Sequence, residues 1–301
     1  CKVTSDRPLI GILLMLGFCV LAPVGDALAK TLGQTVPLGI LLLARFAIQA
    51  LLLAPVILAT QRTFQMPPRI RQLVWLRTVL HIIGIGAMFS ALLFLPLADA
   101  VAIAFVMPFI MLMLGHYVLG EEIGIRRIAA CTVGFSGTLL VIQPAFDDVG
   151  WPALLPLVVA VVFSLFMLVT RQIAKETDPI SLQCVNGFKA VAIVLPVMLV
   201  FSNSGIPQLD LRVPAPNEWL MLVSIGITGT LAHLLMTWSL RFAPSATLAP
   251  MQYLEIPFAT FIGWLIFMEL PNMLASIGIA ITISAGLYIV MRERSLSRFV
   301  P

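Results

Sequence analysis

Long apolar stretches separated by short polar segments dominate the pattern along this chain. A helix needs about 17–25 apolar residues to cross a membrane, and stretches of this kind fall near residues 9–29, 38–59, 73–95, 99–119, 126–143, 151–170, 180–201, 218–240, 245–267 and 274–291. The pattern therefore predicts an all-α integral membrane protein with ten transmembrane helices. We expect a single transmembrane domain over residues 1–301.

A segment of the first half recurs in the second half, residues 88–141 matching residues 236–290. At a constant offset of 148 (236 − 88), Phe105 falls opposite Tyr253, and one inserted residue later Pro108 meets Pro257. The offset covers five predicted spans, an odd number, so the two copies have opposite orientations. We therefore expect two inverted five-helix repeats, over 1–145 and 146–301. Inverted repeats in an apolar chain indicate a transporter whose site lies where the halves meet.

Composition and charge support a membrane protein. The chain is 60% hydrophobic and 11% charged, with a mean hydropathy of +1.06, whereas soluble domains are about 25% charged. If the N-terminus is cytoplasmic, 14 of the 18 basic residues fall on that side, as the positive-inside rule requires. These are Lys2, Arg7, Arg62, Arg69, Arg71, Arg77, Arg126, Arg127, Arg171, Lys175, Arg241, Arg292, Arg294 and Arg298. Both termini are therefore expected in the cytoplasm, and no basic stripe indicates nucleic-acid binding.

The repeated segment resembles a known family signature. Its first copy reads LxFLPLADAVAIAFVMPF, then LGEE, then GFSGTLLV, and this pattern closely resembles EamA-type members of the drug/metabolite transporter superfamily. Arg45 inside the second span adds to the resemblance, and the second half repeats the pattern at Pro244, Pro257, Glu269 and Gly286. The resemblance covers essentially the whole chain. It implies ten helices in two inverted halves, a central cavity and secondary transport of small metabolites, often export, across a bacterial inner membrane.

Ionisable residues inside the predicted spans are the first candidates for the site, because a charge within a bilayer is costly and usually functional. Arg45 is predicted to bind an anionic group, since its planar fork matches a carboxylate. Glu255 is the leading candidate for proton coupling, because burial favours the neutral form of a carboxylic acid. A purely structural ion pair between Arg45 and Glu255 remains open. A cavity that holds both signs of charge favours an anionic or zwitterionic substrate.

Four further ionisable residues lie in predicted spans. Asp26 and His81 are additional coupling candidates; Asp26 can instead pair with Lys30 one helical turn later, and His81 can be a hydrogen-bonded core histidine. His233 has the same two interpretations. Lys189 is either a substrate contact or a cation whose ammonium group reaches the membrane surface.

Aromatic and proline residues mark the repeated segment. Phe105, Trp238, Gln252 and Tyr253 are predicted to contact the substrate, with ordinary packing as the alternative. Pro108 and Pro257 each remove a backbone donor and permit a kink, which a membrane tolerates where protein or a cavity covers it. We expect them to form a gate, with simple kinking as the alternative.

Other functional classes have weaker support. Gly134-Phe135-Ser136-Gly137 matches the nucleophile motif of rhomboid-type intramembrane serine proteases, but no histidine follows until His233, and a buried serine needs a base. Glu121 and Glu122 precede two arginines and are explained by local ion pairing. A channel would need a filter or a ring of like charges. The cysteines have no spacing typical of a disulfide framework or metal site.

We therefore expect a secondary transporter that is not an enzyme. It would export a small polar or amphipathic metabolite by proton coupling or exchange, with import of a vitamin-like metabolite as the alternative. Its predicted partners are the small-molecule substrate and the lipid bilayer, without nucleic acid, and it would be a monomer or homodimer. No cofactor and no metal are predicted.

Overall fold

The computed structural model describes residues 7–120, 124–202 and 204–297, and this part of the chain is helical, without strands. Glu121 and Glu122 lie outside it. The first half contains α1 (Pro8–Gly33), α2 (Leu38–Ala59), α3 (Pro68–Ala91), α4 (Leu97–Ala104), α5 (Met107–Leu119) and α6 (Ile125–Val149). The second contains α7 (Leu155–Ala174), α8 (Pro179–Phe201), α9 (Pro216–Phe242), α10 (Ser245–Leu248), α11 (Glu255–Phe267) and α12 (Met273–Ser297). Short 3₁₀ turns cover Trp151–Leu154, Pro207–Leu209 and Ala249–Leu254.

The membrane class follows from the length and composition of these helices. Among the described residues, eight helices are long and apolar enough to cross a membrane, with α4 and α5 counted together over Leu97–Leu119. Two further apolar helices, over Met251–Phe267 and Met273–Tyr288, are shorter. Several helices begin with proline in the first turn, as α3 does at Pro68, because the first N–H groups of a helix have no partner within it.

The two repeated segments form broken helices at the centre of the bundle. The helical run of α4 stops at Ala104 and α5 starts at Met107, whereas α10 passes through the 3₁₀ turn before α11 starts at Glu255. Pro108 and Pro257 stand in the first turns of α5 and α11. Both prolines therefore follow a break in the helix instead of kinking a continuous helix from within, because a first-turn position needs no N–H donor.

Helices of the two halves pack against each other in pairs. Among the described residues, α1 packs against α9, α3 against α7, α2 against α8, and α6 against α12. The α6–α12 crossing is very close, since a Cβ added at Gly137 would lie 2.6 Å from the carbonyl oxygen of Gly278. Small residues permit such contacts between membrane helices. Ser136 is exposed and its hydroxyl donates to the Thr132 carbonyl, 3.0 Å away, so its motif serves helix packing.

Ion pairs join the halves at both ends of the bundle. Lys30 at the end of α1 binds Glu269, 2.6 Å away, and it donates to the Leu95 carbonyl at 3.0 Å. The alternative in which Asp26 pairs with Lys30 is not what the structure shows, because the Lys30 ammonium is turned towards the second half. At the opposite end, Arg62 pairs with Asp178. Each of these contacts holds one helix end of the first half against the second.

Candidate functional site

A central cavity lies between the two halves. Its walls come from α1, α2, α3, α4, α5, α7, α9 and α11, and its volume is about 80 Å³. One water molecule needs at least about 10–15 Å³ of such space, so the cavity has room for several waters, and a metabolite requires it to widen. The polar lining consists of Asp26, Arg45, His233 and Glu255. The aromatic lining consists of Phe18, Phe89, Phe105 and Phe163.

Arg45 is the central cation of the cavity. Its side chain is buried, with only 2% of the residue exposed. One terminal nitrogen donates to Oε1 of Gln49, one turn further along α2, at 2.9 Å, and the other lies 3.1 Å from Nδ1 of His233 on α9. These neutral groups orient the guanidinium without neutralising it. The Arg45–Glu255 ion pair left open by the sequence does not occur among the ion pairs of the described residues.

Gly229 makes this position of Arg45 possible. A Cβ added at Gly229 would lie 2.7 Å from a terminal nitrogen of Arg45, and even closer to its Nε and Cζ atoms. Real Cβ atoms do not approach heavy atoms this closely, so any other residue would displace the guanidinium. The glycine of α9 therefore shapes the binding surface although it carries no side chain.

His233 shares a single nitrogen between two partners. Nδ1 lies 3.1 Å from Arg45 and 3.0 Å from the carbonyl oxygen of Gly229. Arginine only donates, so the Arg45 hydrogen bond requires an unprotonated Nδ1, while the Gly229 bond requires a protonated one. The two bonds exclude each other. The tautomer of His233 therefore decides whether this residue holds Arg45 in addition to Gln49.

The two acids of the cavity lack such partners. Glu255 is 7% exposed, and both it and Asp26 line the cavity. Within the described chain, neither carboxyl group receives a hydrogen bond or forms an ion pair. Asp26 attracts Arg45 across the cavity and repels Glu255. The cavity therefore presents one oriented cation and two acids to whatever occupies it.

A layer of rings closes one end of the cavity. His81 and His233 lie with their ring centroids 4.5 Å apart, and Phe166 lies 4.6 Å from His81. Phe166 and His81 do not line the cavity. Beyond them, the guanidinium of Arg77 packs on the Phe166 ring, 4.4 Å from its centroid. The rings therefore separate the cavity from a second buried arginine.

Arg77 is the centre of a buried polar network that we call the Arg77 cluster. It consists of Gln49, Arg77, Thr78, Thr170, Gln183, Asn186 and Thr237. Arg77 was counted with the basic residues of the cytoplasmic side, but it is 0% exposed and lies in the interior of the protein. The helix α3 starts at Pro68, earlier than the predicted start at residue 73, and this places Arg77 about two turns inside the helix.

The same cluster fixes the tautomer of His81. The Oδ1 atom of Asn186 accepts from Arg77 at 2.9 Å, so its amide nitrogen faces Nδ1 of His81 at 3.0 Å and donates to it. The proton of neutral His81 is then on Nε2, which is buried and lacks a partner among the described residues. His81 is thus a hydrogen-bonded residue behind the cavity wall.

Of the four substrate contacts predicted in the repeated segment, only one lines the cavity. The other three pack elsewhere in the protein. Phe105 lines the cavity, and its ring lies 5.7 Å from that of Tyr253. Tyr253 is buried behind it and donates to the carbonyl of Cys131 at 3.4 Å. Gln252 is buried among methionine sulfurs, the nearest being that of Met167 at 3.1 Å. Trp238 packs on a small apolar cluster away from the cavity.

Lys189 lies away from the cavity. Its ammonium donates to the Arg71 carbonyl at 3.2 Å and stands over the Trp75 ring at 4.5 Å. This arrangement fits the alternative in which the charge reaches the membrane surface. Lys189 is not among the residues that line the cavity, where its contact with the substrate was predicted. The described residues contain no group of three or more metal-ligating side chains.

Several residues of the site were not identified from the sequence. Gln49, Gln183 and Asn186 are neutral and therefore did not stand out as charges do, although buried amides in apolar helices are themselves a signal. Gly229 carried no chemical signal at all. Arg77 was visible as a cation, but its depth depends on where α3 begins.

Comparison with known proteins identifies the family. The EamA-like transporter family model matches residues 9–143 and, a second time, residues 150–292. The chain therefore belongs to the EamA-like transporter family, within the drug/metabolite transporter superfamily. It is a multi-pass membrane transporter and not an enzyme. A solved crystal structure of a protein shares the fold, with a TM-score of 0.68 at 20% identity, covering 96% of this chain and 98% of that chain.

Three of the named relatives are transporters of small molecules. The riboflavin transporter of Rhizobium johnstonii is 28% identical over 74% of this chain and 71% of its own. The pseudopaline exporter CntI of Pseudomonas aeruginosa is 27% identical over 91% of this chain and 90% of its own. The S-adenosylmethionine uptake transporter of Rickettsia prowazekii is 22% identical over 73% and 71%. The names include both uptake and export.

We predict that Gly229→Ala abolishes transport while the protein still folds. The new methyl group displaces the guanidinium of Arg45, which is the flexible end of a side chain and moves more easily than helix α9. The matched control is Gly86→Ala, whose Cβ would meet only a Leu42 methyl at 3.6 Å. Insertion and the melting temperature are measured for both variants beside substrate transport. Full activity of Gly229→Ala would show that the position of Arg45 is unimportant.

Proposed function

We propose that this protein is a secondary transporter for a small metabolite that carries an anionic group, a balancing cationic or hydrogen-bonding group, and an apolar body. The observation that carries this proposal is the cavity, in which one oriented arginine faces two acids that lack protein partners. Its aromatic walls favour an amphipathic ligand. Pockets with few polar groups among apolar walls are typical of small-molecule sites.

Arg45 is proposed to bind the anionic group of the substrate. Gln49 and His233 hold its guanidinium towards the cavity, so little conformational entropy is lost when a ligand binds. A carboxylate accepts two parallel hydrogen bonds from such a fork. An ammonium group of lysine at this position would not reproduce the planar geometry.

Glu255 and Asp26 are proposed to carry the coupling proton. They come from opposite halves of the chain, face the same cavity and repel each other. Two acids that share a cavity do not ionise independently, because each charge disfavours the other. Binding or loss of one proton therefore changes the net charge that the substrate meets. His233 adds a second proton-dependent contact, since only its unprotonated Nδ1 accepts from Arg45.

Ten membrane spans in two inverted halves are proposed as the architecture, with α4–α5 and α10–α11 each forming one broken span. Two contacts support this arrangement. The Phe105 and Tyr253 rings meet 5.7 Å apart, and the hydroxyl of Thr282 lies 3.4 Å from the Gly134 carbonyl. In both contacts the residues are 148 positions apart, and equivalent residues of two repeats meet only at their symmetry axis. The paired packing of α1–α9 with α7–α3 supports the same axis.

Transport is proposed to alternate between the two ends of this bundle. With the N-terminus in the cytoplasm, the cavity lies in the outer half, and the ring layer with the Arg77 cluster closes the inner half. The Lys30–Glu269 pair holds the outer ends of the halves together, and the Arg62–Asp178 pair holds the inner ends. Opening at one end breaks the pairs there and leaves the pairs at the other end intact.

Export from a bacterial cytoplasm is the proposed direction. The match to the exporter from Pseudomonas aeruginosa covers 91% of this chain. The matches to the riboflavin transporter, whose name gives no direction, and to the uptake transporter cover 74% and 73%. Import is the second candidate, and the uptake transporter from Rickettsia prowazekii supports it. Both directions use the same cavity, because a secondary transporter moves its substrate along the available gradient.

Metabolite profiling of medium and cytosol tests the function. Cells that produce the protein are compared with cells that produce Arg45→Lys at the same membrane level. We expect at least one anionic or zwitterionic metabolite to move between the compartments with the parent protein and not with the variant. Accumulation in the medium identifies an exporter and depletion from the medium an importer. If no metabolite redistributes, or if Arg45→Lys redistributes it equally, the proposal fails.

Topology is tested with single cysteines at Asp148 and Ser297 in a chain without its native cysteines. The proposed orientation predicts that position 148 reacts with an impermeant thiol reagent added to intact cells, whereas position 297 reacts only after the membrane is opened. Asp148 lies in the last turn of α6 and is exposed. External reaction at 297, or complete protection at 148, would contradict the arrangement.

We predict that Glu255→Gln uncouples transport from the proton gradient. The amide keeps the shape of the side chain and removes its ability to bind and release a proton, so accumulation against a gradient is lost while exchange of substrate for substrate continues. Glu176→Gln, at an exposed acid outside the cavity, is the control and is expected to keep both activities. Both are measured in vesicles with an imposed pH gradient. Unchanged proton-driven accumulation by Glu255→Gln would assign coupling elsewhere, and Asp26→Asn would be tested next.

A further inference from the structure

Arg77 carries a positive charge in the interior of the protein without a counter-ion. Within the described residues no carboxylate lies within ion-pair distance of it. Its N–H groups donate only to neutral side-chain oxygens, which belong to Thr170 at 2.8 Å, Asn186 at 2.9 Å, Gln183 at 3.4 Å and Thr237 at 3.5 Å. Two of the four distances are long for a hydrogen bond. The guanidinium is therefore held in place but incompletely satisfied.

Structural support alone is a weak explanation for such a group. Burying a charge is costly, and an apolar residue of similar volume usually stabilises a core at least as well. Inside a membrane, an ionisable residue that faces the protein interior typically marks a substrate or ion pathway. Arg77 also lies on that pathway, since only the ring layer of His81, Phe166 and His233 separates it from the cavity.

The partners of Arg77 belong to several helices. Thr170 lies on α7, Gln183 and Asn186 on α8, and Thr237 on α9, whereas Arg77 itself lies on α3 of the first half. When the halves separate at this end, the guanidinium loses these oxygens. An anionic group of the substrate would replace them, because a carboxylate or phosphate matches the arginine fork and also neutralises its charge.

The Arg77 cluster is also connected to the first arginine. Arg45 donates to Gln49 at 2.9 Å, and the amide nitrogen of Gln49 donates to the Gln183 carbonyl at 2.6 Å. Gln183 in turn accepts from Arg77. Gln49 also lies 3.4 Å from the side-chain oxygen of Gln183, the same oxygen that Arg77 approaches, so one chain of hydrogen bonds links the two guanidinium groups.

We propose that Arg77 is a second anion-binding station, on the opposite side of the ring layer from Arg45, which receives the anionic group of the substrate when the inner end of the transporter opens. This rests on the proposed function and adds to it a second residue and a defined step. As the ring layer opens, the anionic group leaves the guanidinium of Arg45 and binds the guanidinium of Arg77. The ligand class is an organic anion that bears a carboxylate or a similar oxyanion.

The charge of Arg77 is measured with two thiol reagents of similar size and opposite charge. Val74 lies three residues before Arg77 on α3 and is fully buried. A Val74→Cys variant without native cysteines is labelled in inside-out vesicles with the anionic sulfonatoethyl and the cationic trimethylammonium-ethyl methanethiosulfonates. Their rate ratio reports the local potential. Residues three apart on a helix are neighbours.

The expected result is an anionic-to-cationic rate ratio that falls by about tenfold or more when Arg77→Gln is added. The variant Arg77→Lys keeps the charge and is expected to retain most of the ratio. Arg71→Gln is the matched control, since Arg71 lies three residues before Val74 but is exposed, and exposed charges are screened by salt. It is expected to change the ratio by less than about twofold.

Three results would overturn the proposal. If both reagents react faster in Arg77→Gln and their ratio is unchanged, Arg77 only holds the inner end closed. A second labelling position, Ile173→Cys on α7, is used in place of Val74→Cys on α3. If neither reagent reacts at position 74 or at position 173, anions do not reach this station. If Arg71→Gln and Arg77→Gln change the ratio equally, the effect comes from the surface. The measurement needs no substrate, so its outcome is independent of the metabolite profiling.

Discussion

The interior of this transporter is organised by the need to satisfy two guanidinium groups inside a membrane. Lipid tails offer no hydrogen-bond partners, and each donor that does not face the cavity must find an oxygen or nitrogen within the protein. Arg45 obtains Gln49 and His233, and Arg77 obtains threonine and amide oxygens. The polar side chains of α2, α3, α7, α8 and α9 therefore point to the same central region, and this region separates the two halves of the chain.

The charged groups of the cavity differ in whether protein groups bind them, and this difference defines the chemistry of the cavity. The cation Arg45 is held by neutral groups, while Glu255 and Asp26 face the cavity without protein partners. A structural ion pair would have neutralised both signs and left nothing for a ligand to complete. Separating them has an energetic cost, because each uncompensated charge favours the neutral form or an added counter-ion. A proton or a substrate supplies this missing compensation.

Much of the fold and part of the site could be predicted from the sequence. Apolar runs located the helices, and the repeat placed Phe105 opposite Tyr253, whose rings do meet. Arg45, Asp26 and Glu255 were selected as charges inside spans, and they share one cavity. The break between α4 and α5 was not predicted, because Pro108 was assigned to the middle of a continuous helix. Of the two interpretations of Lys189, the contacts with the Arg71 carbonyl and the Trp75 ring fit the one in which its charge reaches the membrane surface.

The sequence by itself determined that this chain is a membrane protein of two related halves, because hydrophobicity and the repeat are properties of residue order. Only the tertiary structure decided which face each helix turns to its neighbours. It joined Lys30 to Glu269 instead of Asp26, and it enclosed Arg77 among two threonines and two amides from other helices. It also gave Gly229 its role, since the absence of a side chain matters only where another residue fills the space. Which segments enter the membrane follows from the hydrophobicity of neighbouring residues. Which side chains contact each other depends on packing between segments that are distant in the chain.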